Sequence, residues 1–230
     1  MTLPAAAVCF AGRRPTGFAR LATHTTTPPR RPIDAGALPP EVAAGLADAL
    51  PFLRCGEESA VHAFGRRLTL LASRAEQTAL DAITADEQRH AAWLEALAAA
   101  LPTPTAQPDA VAMAAFFRGL LTRDPALHFA RIAALDLAVG AILRPLTAPR
   151  GGLAAAPEVV AGLASIRRDE ARHVRVARHC AATLGFAAAG QRSLDLAMRA
   201  ELAGLLGPVR ASLARLGFGG FGGRPSRQPH

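Results

Sequence analysis

One pentapeptide frame occurs twice in this chain: Asp86-Glu87-Gln88-Arg89-His90 returns as Asp169-Glu170-Ala171-Arg172-His173. Each copy holds a Glu-x-x-His pair within a long run of helical periodicity. On a helix, positions i and i+3 share a face, so the carboxylate and the imidazole project side by side. The stripe Leu80, Ile83, Glu87, His90, Leu94 and Leu97 is apolar except at the pair. So is Val160, Leu163, Ile166, Glu170, His173, Ala177 and Leu184. A helix buries its apolar stripe, and these two bury charge with it. Burial of several carboxylates is very costly unless a cation compensates them. The pattern therefore points to a metal site.

Two further helical stripes carry one acid each. Leu50, Leu53, Glu57, Val61, Phe64, Leu68 and Leu71 form one; Phe129, Ile132, Asp136, Val139 and Leu143 form the other. Glu57 and Glu87 lie at similar distances on either side of a turn at Ser73. Asp136 and Glu170 do the same about Gly151-Gly152. With a constant rise per residue, each pair folds back to one height in a helical bundle. Four carboxylates and two imidazoles thus converge at mid-depth, the arrangement by which a four-helix bundle holds two metal ions.

Punctuation residues set the expected boundaries. Residues 1–40 read as an irregular arm ending at Pro39-Pro40, and a helical domain spans 41–216. Core helices are expected over about 52–72, 74–101, 125–144 and 157–184, with an additional helix over about 193–216. Pro51 is expected to kink or break the first stripe. Ser73 with Glu76 forms a capping box, Asp124-Pro125 an N-cap followed by proline, and Gly185 a helix stop. The Pro-rich residues 102–109 and a short helix from Ala110 to Leu121 make a long crossover, as needed when the second and third core helices run the same way. Residues 217–230 are glycine-rich and read as a loose tail.

Composition narrows the class further. Half of the residues are apolar, but alanine dominates them, tyrosine is absent and strand formers are sparse, so the fold class is all-α. No apolar run reads as long and continuous enough to span a membrane. The net charge of +8 comes from arginine without lysine. Those arginines are dispersed over helix faces and tails, which argues against a nucleic-acid surface. Cys9, Cys55 and Cys180 fit no zinc or redox spacing, and reduced thiols in a cytoplasmic protein are the expectation.

The charged residues give the chain a resemblance to the ferritin-like di-iron carboxylate superfamily, whose pattern is Glu, then Glu-x-x-His, then Glu, then Glu-x-x-His. Glu57 matches the first position, with Glu58 as the adjacent alternative, and Gly56-Glu57 followed by Phe64 resembles rubrerythrin-like members. Glu87 and His90 match the second motif, Glu170 and His173 the fourth. The third position holds Asp136, a departure from the family glutamate. The resemblance covers residues 50 to about 185. It implies a ferritin-like four-helix bundle, two iron ions with manganese or a mixed pair as alternatives, and O₂ as co-substrate. The implied activity is that of an oxygenase or oxidase acting on a small organic substrate, with an electron donor and a homodimer compatible with that class. A non-catalytic metal-binding bundle is the alternative. A ferroxidase and a tRNA-modifying hydroxylase stand behind it, and the absence of tyrosine disfavours stable-radical chemistry.

Other residues are weighed beside the ligands. His62, one turn from Glu58, and His128, two turns before Asp136, are candidate extra ligands. The resemblance implies that Asp86 and Asp169 hydrogen-bond across to the histidine of the opposite motif; the competing reading pairs them with Arg89 and Arg172. A pocket for a partly apolar, anionic substrate is expected from Phe64, Trp93, Phe116, Phe117 and Phe129, with Arg67, Arg118 and Arg131 at its rim. Core filling is the competing reading of each aromatic.

Overall fold

The computed structural model describes residues 33–64, without the side chain of His62, and residues 73–221. These residues are all-α: α1 (Pro40–Phe64), α2 (Arg74–Ala99), α3 (Ala110–Gly119), α4 (Pro125–Leu146), α5 (Pro157–Thr183), α6 (Ala188–Leu205) and α7 (Arg210–Arg215), with a 3-10 turn at Gly207–Val209. α4 packs along α5 and α1 along α2, while α7 lies on α1 and α6 on α4. The core is a four-helix bundle of α1, α2, α4 and α5, extended by C-terminal helices.

Helix ends follow the local chemistry. Ser73 N donates to Glu76 Oε2 at 2.7 Å and Glu76 N to Ser73 Oγ at 3.3 Å, closing the capping box of α2. Asp124 caps α4, accepting from Ala126 N and Leu127 N, with Pro125 in the first turn. Gly185, at φ 90°, ends α5 in the left-handed conformation that glycine tolerates best.

Three local expectations are corrected. α1 is continuous through Pro51, which lies inside it. Proline in a helix interior costs about 3 kcal/mol or more, but Leu46, Leu50, Phe52 and Leu53 around it are all buried and hold the helix together. The C-terminal helix begins earlier than expected and divides at Gly207-Pro208, where proline cannot continue the hydrogen-bond ladder and the backbone tightens to a 3-10 turn. α4 is long and apolar enough to cross a membrane, although 61% of its apolar window is buried inside the protein. The residues 65–72 expected to extend the first core helix lie outside the described residues.

Core organisation fixes the direction of each helix. One apolar cluster contains Leu50 and Leu53 of α1, Leu94 and Leu97 of α2, Val139 and Ile142 of α4, and Leu163 and Ile166 of α5. A second contains Phe64, Leu80, Ile83, Phe129, Ile132 and Cys180. α1 and α5 therefore run from the first cluster to the second, and α2 and α4 run back. The second and third core helices are parallel, which is why the chain spends residues 100–124 on a crossover. On all four helices the charged residues lie between the two clusters.

The crossover is anchored from α1. Asp48, 1% exposed, accepts hydrogen bonds from Thr105 N at 2.7 Å, Ala106 N at 2.9 Å and Ser212 Oγ at 2.7 Å. One carboxylate thus ties α1, the crossover and α7 together. Burial alone would raise its pKa, but these donors bring it below the usual aspartate value. Cys180 is a free, buried thiol; Cys55 is disulfide-bonded, unlike the expected reduced state.

Candidate metal centre

Six side chains meet in the layer between the two apolar clusters: Glu57 from α1, Glu87 and His90 from α2, Asp136 from α4, and Glu170 and His173 from α5. None is more than 5% exposed. They form two overlapping groups whose ligand atoms lie within 4.8 Å of one another: Glu57, Glu87, His90 and Glu170, then Asp136, Glu170 and His173. Glu170 belongs to both. Glu87 also faces both histidines, with Oε2 3.5 Å from His90 Nδ1 and Oε1 2.9 Å from His173 Nδ1.

The imidazoles are arranged in the same sense. Each turns Nδ1 toward the carboxylates, and Glu57 Oε2 is 3.2 Å from His90 Nδ1. Each turns Nε2 to an aspartate of the opposite motif: His90 to Asp169 Oδ2 at 3.1 Å and His173 to Asp86 Oδ2 at 3.4 Å. Arg89 and Arg172 both ion-pair with Asp86, and Arg172 lies 3.4 Å from Asp169. The two readings of these aspartates thus hold together: each touches a histidine and an arginine. A proton kept on Nε2 by the aspartate leaves the Nδ1 lone pair for a metal.

Electrostatics give the reason for a cation. Burial, followed by repulsion from Glu87, pushes the Glu57 carboxyl well above its ordinary value. Burial, then Glu170 and Glu87, does the same to Asp136, and burial with Glu87 raises Glu170. For Glu87 burial is outweighed by His173 and His90, and its pKa is lowered. Burial would depress the histidines, but Glu57 and Glu87 raise His90 to about 11, and Glu170 and Glu87 raise His173 to about 10. Glu87 apart, the balance of burial and neighbouring charges favours the protonated form of each group in the layer.

Orphaned atoms test the fit. Both carboxylate oxygens of Glu87, Asp136 Oδ2 and His173 Nδ1 are buried without a completed hydrogen bond. The 2.9 Å approach of His173 Nδ1 to Glu87 Oε1 is close in distance but leaves both atoms unsatisfied as hydrogen-bonding groups. Such atoms cost about 1–3 kcal/mol each when buried. Four carboxylates and two imidazole lone pairs form a hard, oxygen-rich set suited to two divalent first-row ions, whose charges would balance the four carboxylates.

Other candidates are placed differently. Glu58 is half-buried and belongs to neither group. The side chain of His62 and all of Arg67 lie outside the described residues. His128 is fully buried, but its Nε2 donates to Ala63 O at 3.1 Å and it joins neither group. It staples α4 to the end of α1.

The residues of the expected pocket divide among several places. Phe64 meets the His173 ring edge-on at 6.1 Å between centroids and shares the second apolar cluster with Phe129. Phe117 lies in the other cluster, 6.0 Å from the Phe52 ring. Trp93 packs on the bare backbone of Gly162, where an added Cβ would come within 2.0 Å of the indole. Arg118 is exposed. Phe116 and Arg131 line a groove of about 430 Å³ with Leu120, Leu127, Leu194 and Met198. Arg131 also donates to Gly119 O at 2.8 Å. A second groove of about 380 Å³ lies by Arg178, Phe186 and Gln191. Neither touches a candidate ligand. Phe64, Phe117 and Phe129 are buried in the two apolar clusters, as their stripe positions dictate.

The fold and this layer define the class: an all-helical domain with two carboxylate–histidine groups compatible with a ferritin-like di-iron pattern. No family, no curated protein and no solved structure matches the chain, so the class rests on the bundle and its buried layer alone.

Proposed function

We propose that this chain is a non-haem di-iron oxidoreductase that uses O₂ to oxidise a small organic, anionic substrate, with manganese or a mixed pair as the alternative metals. The observation that carries the reading is the pair of Glu-x-x-His motifs facing each other in a buried layer with orphaned ligand atoms. Glu57, Glu87, Asp136 and Glu170 would hold the two ions together with His90 and His173, whose Nδ1 atoms face the carboxylates. Two bound iron ions would supply the electrons for O₂ reduction that a single ion lacks. Asp86 and Asp169 keep both imidazoles in one tautomer, and the arginines on those aspartates hold them in place. Phe64 and the cluster behind it exclude water from one side. An acidic electron donor and an anionic metabolite both suit a chain of charge +8.

A second reading has its own observation. The two grooves described above do not touch the ligands, and Asp136 stands where the resemblance expects glutamate; a bundle that binds metal without turnover is the reading they prompt. Anaerobic loading with Fe(II), metal analysis and rapid mixing with O₂ separate the two. The enzyme reading expects two irons per chain, a transient absorbance and iron oxidation faster than in solution, all lost in Glu87→Ala. Two irons without acceleration would replace it with the binding bundle. A chain that holds neither iron nor manganese would remove both.

A further inference from the structure

The two halves of the centre differ in one terminal ligand. On the His90 side Glu57 reaches the cluster, with Oε2 3.2 Å from His90 Nδ1. On the His173 side Asp136 supplies the corresponding carboxylate, and its Oδ2 has no hydrogen-bond partner. Aspartate is shorter than glutamate by one carbon–carbon bond, about 1.5 Å. Metal–ligand distances tolerate only about 0.2 Å of error. Ala130, Ala133 and Ala138 are completely buried, so α4 packs through short side chains, and the Asp136 carboxylate comes within 4.8 Å of Glu170 and His173, against 3.2 Å between Glu57 and His90. The group on the His90 side joins four residues and that on the His173 side three, with Glu87 near both histidines, so the asymmetry rests on Glu57 against Asp136.

We propose that the two metal positions are unequal and fill in order: the Glu57–Glu87–His90–Glu170 position first and tightly, the Asp136–Glu170–His173 position second and weakly. The second ion keeps more of its coordination open to water or an incoming ligand. Glu170, common to both groups, couples the steps, because filling the first position fixes the carboxylate that the second must share. The inference rests on the metal-binding reading above.

Mn(II) titration of the chelator-stripped protein tests the order, with binding followed calorimetrically and by electron paramagnetic resonance. Two steps are expected, separated by at least about tenfold in affinity. One equivalent gives an isolated Mn(II) signal and the second converts it to an exchange-coupled one. Asp136→Glu restores the missing reach: the first step stays in place and the second tightens until the two approach each other. Asp136→Asn, close to isosteric, loses the second step and keeps the isolated signal, with circular dichroism reporting the fold of each variant. Steps of equal affinity, or coupled signal from the first additions, overturn the ordered filling while the metal site stands. A separation unchanged in Asp136→Glu overturns it too. Absence of any Mn(II) binding by the folded wild type sinks the site itself, and the order with it.

Discussion

Stripped of metal, the protein is expected to lose stability as pH rises through the range where most proteins are comfortable. In the unfolded chain Asp and Glu ionise near their ordinary values, about 4. In the metal-free fold burial and neighbouring carboxylates push Glu57 and Asp136 well above that range, so both keep their protons. The native state then binds more protons than the unfolded state, and stability falls with rising pH. Each such group contributes a slope of about 1.4 kcal/mol per pH unit. While both keep protons that the unfolded groups have lost, the combined slope is at most about 3 kcal/mol per pH unit, and coupling within the layer reduces it. His90 and His173, raised to about 11 and about 10, act in the same sense. Their contribution is complete below about 6.5 and is lost as pH rises toward the folded values. Glu87, lowered instead, keeps its contribution across this window and loses it only in stronger acid. For a chain of this length about 3 kcal/mol corresponds to a fall in Tm of about 6–12 °C. Urea denaturation in the presence of chelator, followed by circular dichroism at several pH values, measures it. Asp136→Asn cannot ionise, so its slope is expected to drop by about half. Metal-free stability that is flat or rising across the window, or an unchanged slope in that variant, would falsify the reasoning.

Three further outcomes follow from particular contacts. Asp48→Ala leaves Thr105 N, Ala106 N and Ser212 Oγ without their acceptor. It is expected to cost about 3–5 kcal/mol in thermal or urea unfolding; a loss below about 1 kcal/mol would show that the carboxylate is not the anchor of the crossover. Gly162→Ala improves helix propensity by about 1 kcal/mol but drives a methyl into Trp93. Net destabilisation of about 1–3 kcal/mol is expected, and a stabilised variant would mean that the indole moves aside freely. Asp169→Asn weakens the hold on His90 Nε2 and is expected to lower metal affinity about 10–100-fold with the fold intact. Calorimetric titration showing wild-type affinity would assign Asp169 to its arginine partners alone.

The charged layer was legible because it breaks a periodicity. Glu87, His90, Glu170 and His173 occupy stripe positions that in a water-soluble helix belong to leucine, and the structure places all four between the two apolar clusters. Caps at Ser73 and Asp124 were legible because their bonds are local. Properties that depend on distant chain were not. Pro51 reads as a break until the leucines around it are known to be buried. Asp48 resembles any helical acid until Thr105 and Ser212 arrive beside it. The phenylalanines carry the same spacing whether they wall a cavity or fill a core, and only the packing of Phe117 on Phe52 and Phe64 beside Phe129 decides between these.

The crossed contacts of His90 with Asp169 and of His173 with Asp86 have a further consequence. Each pairs the imidazole of one hairpin with the aspartate of the other, so exchanging α1–α2 with α4–α5 nearly reproduces the layer. Neither hairpin alone supplies the partner of its own imidazole, so each half of the layer depends on the other for the orientation of its histidine.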